Sequence, residues 1–119
     1  MTIANRIGLK HRLSPTEHQA LLALKRSLFR SLDFVEKIVL FGSVARGEAD
    51  TESDIDLLVL TTKPLSYSER HEITAAITDV NLEFDTTFSS IVVDRSAWEH
   101  GPISHLPIKT NIEREGMPV

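Results

Sequence analysis

The sequence contains no cysteine among its 119 residues. A disulfide framework and thiolate metal ligands are therefore excluded, and a reducing compartment suits the chain. No apolar run approaches the roughly 18 residues that a membrane-spanning helix needs. The first residues also lack the continuous apolar segment of a secretory signal. We therefore expect a cytoplasmic protein that does not enter a membrane.

Positive charge is scarce as well, with 13 Lys and Arg against 17 Asp and Glu, which gives a net charge of −4. A general nucleic-acid binder needs a basic face to neutralise phosphates, so this function class is not expected. With 41% hydrophobic residues, a chain of this length can bury one core. We expect a single domain over residues 1–119, with residues 1–13 as an arm.

Local patterns predict alternating helices and strands. Ser14-Pro15-Thr16-Glu17 has the spacing of a capping box, and apolar residues at helical spacing follow it. Two mostly apolar segments with strand character flank a polar loop. The predicted elements are a helix over about 15–32, strands over 35–41 and 54–61, a helix capped by Ser66 or Ser68, a strand over 83–93, a helical turn near 96–100 and a helix over 106–115.

The connections between these elements predict the topology of the sheet. A short loop joins the first two strands, which makes them an antiparallel pair. The third strand follows a full helix, which permits a parallel crossover back to the same end of the sheet. The expected fold is a small α+β domain, with a mixed sheet of about three strands and helices packed on it.

Carboxylates are concentrated before and at the start of the second strand, at Glu48, Asp50, Glu52, Asp54 and Asp56, without an intervening Lys or Arg. A solvated acidic loop is the ordinary interpretation of such a cluster. Strand alternation separates its members, because Asp54 and Asp56 point to the same face, roughly 7 Å apart. The other three acids are expected to be solvated.

A third carboxylate is predicted by topology. Glu83 and Asp85 share one face of the predicted third strand, and a parallel crossover would place them beside Asp54 and Asp56. Such a group of carboxylates repels itself, and Mg²⁺, which prefers oxygen ligands and substrate phosphates, relieves the conflict. Two ions at this position would activate an attacking oxygen and stabilise a leaving pyrophosphate.

The turn after the first strand predicts the phosphate-binding half of the site. Gly42 permits close approach of a ligand to the backbone, Ser43 adds a hydroxyl group, and the start of a short helical turn favours an anion. Arg46 would add a charge-assisted contact to phosphate.

Three other kinds of site do not match the spacing. A calcium loop starting at Asp50 requires glycine at its sixth position, which is Ile55. No lysine of a P-loop follows a glycine-rich stretch. Ser43 has no histidine near it in sequence, so a serine nucleophile is not indicated.

Gly42-Ser43, ten residues and Asp54-Ile55-Asp56 resemble the signature of the DNA polymerase beta-like nucleotidyltransferase superfamily. The fuller string, from Gly42 to Gly47 and from Ser53 to Leu57, is similar to the minimal nucleotidyltransferase (MNT) branch. The resemblance extends over nearly the whole chain, from the leading helix to the ending.

The resemblance implies roles for individual residues. Gly42 and Ser43 would hold a nucleoside triphosphate, and Arg46 would contact a phosphate group. Asp54 and Asp56 would bind Mg²⁺. Asp85 matches the third acid best, where it would bind metal and activate the acceptor hydroxyl, and Glu83 is the alternative.

The resemblance also implies transfer of AMP from ATP to a hydroxyl group, with two Mg²⁺ ions and release of pyrophosphate. A chain without an acceptor-binding domain suggests an acceptor on a protein partner. In the MNT branch that partner is typically a HEPN protein, an α-helical RNase-like toxin. The chain would then be an antitoxin in a hetero-oligomer.

Two alternatives stay open. The first is a catalytically inactive MNT module that neutralises a HEPN toxin by masking it. The second is a nucleotidyltransferase for a small molecule, which would need a larger pocket and therefore a homodimer.

Overall fold

The computed structural model describes residues 13–48 and 53–119 of the chain. The predicted arm therefore lies outside the described residues, except for Leu13, which is buried in the core. The loop acids Asp50 and Glu52 also lie outside them. The elements are α1 (Pro15–Ser31), β1 (Val35–Phe41), α2 (Gly42–Arg46), β2 (Ile55–Thr61), α3 (Tyr67–Phe84), β3 (Phe88–Asp94), α4 (Arg95–His100), a 3₁₀ turn (Pro102–His105), α5 (Pro107–Glu115) and β4 (Met117–Pro118).

The sheet has the strand order β3-β2-β1-β4. Strands β1 and β2 pair antiparallel, and β2 and β3 pair parallel across the α3 crossover, so both predicted connections are confirmed. The sheet has one strand more than predicted, because the two residues of β4 pair antiparallel with Val39 and Leu40 of β1. The predicted α+β class with a mixed sheet is confirmed.

Helices α1 and α3 cover one face of the sheet. Each begins with a complete capping box, formed by Ser14 and Glu17 in α1 and by Ser66 and Glu69 in α3. These boxes satisfy amide groups that the first helical turn would otherwise leave unpaired. Apolar residues of both helices join the inward side chains of the sheet in one buried cluster. In the described part of the chain, no helix has the length and apolar character needed to cross a membrane.

The opposite face of the sheet carries a smaller apolar cluster. Its buried members are Val39, Leu58, Leu60, Trp98 and Ile112, the last two contributed by α4 and α5. Because side chains alternate along a strand, the residue two positions before Leu58 shares its face. That residue is Asp56, so the candidate site lies on the side of the sheet that α5 covers.

The predicted third strand begins five residues too early. Helix α3 continues to Phe84, and β3 starts only at Phe88. Val80 and Phe84 lie one helical turn apart and both pack on the larger core, which favours another turn of helix over a strand. Asp85 then ends the helix in a left-handed conformation with φ 54°. Glu83, an exposed residue of α3, therefore does not stand on a strand.

The side chain of Asn81 fixes the start of β3. Its Nδ2 donates to the carbonyl of Phe88 at 3.0 Å, and its Oδ1 accepts from the Phe88 amide at 2.8 Å. The hydroxyl of Thr86 donates to the same Oδ1 at 3.0 Å. The side-chain amide of Asn81 thus pairs with the N–H and the carbonyl of Phe88 at the outer edge of β3, as a neighbouring strand would.

Replacing Asn81 with alanine is expected to lower the free energy of unfolding by about 2–3 kcal/mol, because three partly buried hydrogen bonds are lost. Urea denaturation measures this value. The matched control is Asn111→Ala in α5, an exposed asparagine that accepts a bond from Arg114, with an expected change within about 0.5 kcal/mol. Equal losses in the two variants would contradict the role assigned to Asn81.

Candidate functional site

The turn after β1 lies directly against Asp56. The β1–β2 register pairs Phe41 with Asp56, which places Gly42 beside that carboxylate. A Cβ atom on Gly42 would lie 2.3 Å from Asp56 Oδ2, and the φ of Gly42 is +81°. Both the contact and the backbone conformation therefore require glycine at this position. The structure brings the two halves of the sequence motif into contact.

A cavity of about 360 Å³ opens between this turn and α5. The sheet and α2 contribute Phe41, Gly42, Ser43, Arg46 and Asp56. Helix α5 contributes the opposite wall, formed by Ile108, Asn111, Ile112 and Glu115. A larger cavity of about 640 Å³ lies further along the same face against Leu60 and Trp98, but it is lined by none of the predicted site residues.

Partial burial affects the pKa of Asp56, one of the carboxylates of this cavity. It is half-buried, whereas Asp54 at the end of the loop is exposed. Burial raises the pKa of Asp56, the negative charge of Asp54 raises it further, and the positive charge of Arg46 opposes both effects. A bound cation would favour the ionised form of Asp56, so the carboxylate pair is suited to hold one.

Arg46 is held by two carboxylates. Its Nε lies 3.0 Å from Glu48 Oε2, and its Nη1 lies 3.4 Å from Glu115 Oε2. These contacts raise the pKa of Arg46, with the hydrogen bond to Glu48 as the larger cause. Glu48, predicted to be solvated, is indeed exposed but pairs with Arg46.

The β2–β3 register places Ser89 beside Asp56. Residues that pair in this way point to the same face of a sheet, so Ser89 stands where the third carboxylate was expected. The prediction that Asp85 or Glu83 stands on the third strand is wrong, since α3 ends at these positions. Within residues 13–48 and 53–119, no three Asp, Glu, His or Cys residues are grouped to hold a metal ion.

The sequence profile described as "Polymerase beta, Nucleotidyltransferase" matches residues 25–97, which span β1, α2, β2 and the Gly42–Asp56 contact. The chain belongs to this family. The resemblance to the polymerase beta-like nucleotidyltransferase superfamily, seen in Gly42-Ser43 and Asp54-Ile55-Asp56, is thereby confirmed.

The chain is similar to a protein of Methanocaldococcus jannaschii described as "Putative protein adenylyltransferase". The two are 33% identical over 64 residues, which are 54% of this chain. The match spans 65% of that relative's own length.

Two solved structures share the fold of this chain. One is a toxin-antitoxin with AMP-PNP, at a TM-score of 0.55 and 21% identity, covering 84% of this chain and 69% of that chain. The other is a mutant of the toxin-antitoxin MntA-HpeT, at a TM-score of 0.51 and 20% identity, covering 86% of this chain and 70% of that chain.

The donor groups of the candidate site fit a magnesium–nucleotide complex better than a free ion. Mg²⁺ commonly takes one or two carboxylates and completes its coordination with phosphates and water. Asp54 and Asp56 offer two carboxylates on one face, and the missing Cβ of Gly42 leaves room for the Asp56 carboxylate beside the turn after β1. These groups do not form a closed set of protein ligands.

The wall formed by α5 was not part of the predicted site. Its signal was present in the sequence, because Ile108, Ile112 and Glu115 follow one another at helical spacing. That pattern predicts a shared face of the helix. It does not predict what this face covers.

Proposed function

We propose that this nucleotidyltransferase transfers AMP from ATP to a hydroxyl group on a protein partner and releases pyrophosphate. The observation that carries the proposal is the contact between Gly42 and Asp56, where a Cβ atom would lie 2.3 Å from the carboxylate oxygen. A backbone that can approach phosphate and a carboxylate that can share a cation meet there in one cavity.

In the proposed reaction, the acceptor oxygen bonds to the α-phosphorus of ATP. The bond from that phosphorus to the bridging oxygen breaks, pyrophosphate leaves with the electron pair, and the acceptor proton passes to solvent. Gly42 and Ser43 hold the triphosphate in line, and Arg46 contacts a phosphate oxygen. Positioning and charge stabilisation carry the reaction rather than a covalent bond to the enzyme.

Asp54 and Asp56 are the residues that would hold Mg²⁺ in this proposal. When bound, the ion neutralises phosphate charge and polarises the reacting phosphate. The two carboxylates and the substrate phosphates supply ligands for one ion. The second ion expected from the sequence would need ligands beyond this pair.

The proposed partner is a HEPN-type toxin, with this chain as its antitoxin. The shared fold with the two toxin-antitoxin structures supports the assignment. The description of the M. jannaschii relative as a putative protein adenylyltransferase supports transfer of AMP to a protein. The hydroxyl acceptor would then be a tyrosine of the toxin.

One observation favours a second function, in which the chain masks the toxin without modifying it. Ser89 stands beside Asp56 at the position expected for the third carboxylate, and a serine hydroxyl is a poor general base. Such a module would retain nucleotide binding but transfer AMP slowly or not at all.

Incubation of this chain with labelled ATP, Mg²⁺ and the product of the neighbouring gene separates the two functions. Label on the partner supports transfer. Tight binding of the partner without label, at any nucleotide concentration, supports masking and contradicts transfer.

The Ser89→Asp variant is expected to label the partner at least about tenfold faster than the wild type, because a positioned general base contributes roughly 100- to 10,000-fold. The matched control is Ser89→Asn, which has nearly the same shape without the charge. Equal rates for the two variants would show that the position beside Asp56 does not limit the reaction.

A further inference from the structure

The last residue of α5, Glu115, bridges two arginines at the wall of the candidate site. Its Oε2 lies 3.4 Å from Nη1 of Arg46, and its Oε1 lies 3.3 Å from Nη2 of Arg114. The Glu115 side chain is 26% exposed. It lines the same cavity as Gly42, Ser43 and Asp56.

A carboxylate between guanidinium groups makes the contacts that a phosphate group would make there. Arginine binds both anions through its planar array of N–H donors. The cavity also contains the Asp56 carboxylate, so a triphosphate entering it meets two negative charges and one arginine already paired with Glu48 and Glu115. While Glu115 contacts Arg46, the charges of the site therefore disfavour binding of the triphosphate.

The backbone around Glu115 is held more firmly than its side chain. The amide of Gly116 donates to the carbonyl of Ile112 at 2.7 Å, and that of Val119 donates to the carbonyl of Ile38 at 3.0 Å. A Cβ on Gly116 would lie 2.6 Å from Val39 Cγ1, so the end of α5 packs closely on β1. Release of Arg46 thus requires rotation of the Glu115 side chain and not separation of the helix from the sheet.

We infer that Glu115 is a positioning residue that occupies Arg46 as an internal substitute for phosphate, and that the triphosphate must displace it to bind. This inference rests on the proposed binding of a nucleotide in the cavity. Displacement frees Nη1 of Arg46 for the substrate, while Nε keeps its contact with Glu48. Tight binding then depends on Mg²⁺, which offsets the remaining negative charge. Glu115 thereby sets the affinity of the site without contacting the reacting atoms.

The test compares ATP binding by the wild type, Glu115→Gln and Glu113→Gln, measured by isothermal titration calorimetry with Mg²⁺ and again with a chelator. Glu115→Gln is expected to bind ATP about three- to tenfold more tightly, since two partly exposed ion pairs no longer compete with it. The gain should be larger without Mg²⁺ and should shrink as ionic strength rises.

Glu113→Gln is the matched control, because it removes the same charge from an exposed residue of the same helix that lines the other cavity. Its affinity should stay within about twofold of the wild type. In an Arg46→Gln background, the gain from Glu115→Gln should largely disappear, which shows that the effect passes through Arg46.

The possible failures can be told apart. If the wild type binds Mg·ATP and Glu115→Gln binds it equally or more weakly, Glu115 does not compete with phosphate and this inference is overturned alone. If neither the wild type nor any variant binds ATP with Mg²⁺, the proposed function is overturned and this inference with it.

Discussion

Replacing Asp56 with asparagine is expected to reduce both Mg²⁺-dependent ATP binding and AMP transfer by about a hundred- to a thousandfold. Asn has nearly the same shape as Asp, so the Gly42 turn can stay in place, but the variant lacks the charge that would hold the cation. Binding of ATP with and without Mg²⁺, together with labelling of the partner, measures the loss.

The same variant should not be less stable at neutral pH. The pKa of Asp56 is raised by burial and then by Asp54, so the folded protein holds this proton more tightly than the unfolded chain does. Ionisation of Asp56 therefore costs folding free energy. In the wild type this cost appears as the pH rises from the unfolded pKa through the raised folded pKa, and it remains at higher pH.

Urea denaturation from about pH 3 to pH 7 tests this sign. The stability of Asp56→Asn relative to the wild type should increase with pH, and Mg·ATP should stabilise only the wild type. The control is Asp79→Asn, an exposed aspartate of α3, for which neither difference is expected. Full Mg²⁺-dependent binding by Asp56→Asn would show that Asp56 is not a metal ligand.

Replacing Gly42 with alanine is expected to lower both stability and ATP binding. The new Cβ would lie 2.3 Å from Asp56 Oδ2 and 3.2 Å from its Cγ, and the φ of +81° is itself unfavourable for an L-residue. The Asp56 carboxylate or the turn must therefore shift. We expect a loss of about 2–4 kcal/mol in the free energy of unfolding. ATP binding in the fraction that stays folded should fall by about a hundredfold.

Gly47→Ala separates backbone strain from the contact with Asp56. Gly47 has a similar φ of +74° but lies at the other end of α2. Its replacement should cost only about 1–2 kcal/mol and leave ATP binding nearly unchanged. Denaturation and calorimetry on both variants make the comparison. Equal ATP affinities for the folded Gly42→Ala protein and the wild type would show that the approach of Gly42 to Asp56 is not needed for binding.

Elements with strong local signals could be predicted from the sequence. The capping box at Ser14 gave the correct start of α1, and the predicted bounds of β1 are those observed. The short helical turn predicted after Gly42 also agrees with the structure. In each case the cause is local, because capping groups, positive φ angles and apolar runs act within a few residues.

The predicted start of the third strand was wrong because the signal there is not local. Residues 83–87 are compatible with either a strand or the end of a helix, and the choice depends on what they pack against. Val80 and Phe84 reach the core beneath the sheet, and Asn81 then closes the edge of β3 at Phe88. Because of these contacts, β3 starts only at Phe88. Glu83 and Asp85, predicted as the third carboxylate, therefore precede the strand.

By itself, the sequence determined the family and predicted the central half of the candidate site. Gly42-Ser43 directly follows β1, and Asp54-Ile55-Asp56 stands at the start of β2, so their meeting follows from antiparallel pairing and strand alternation. Only the tertiary structure decided that Ser89 stands beside Asp56 and that Glu115 reaches Arg46. Those neighbours depend on parallel register and on helix packing between distant segments, which local preferences do not specify.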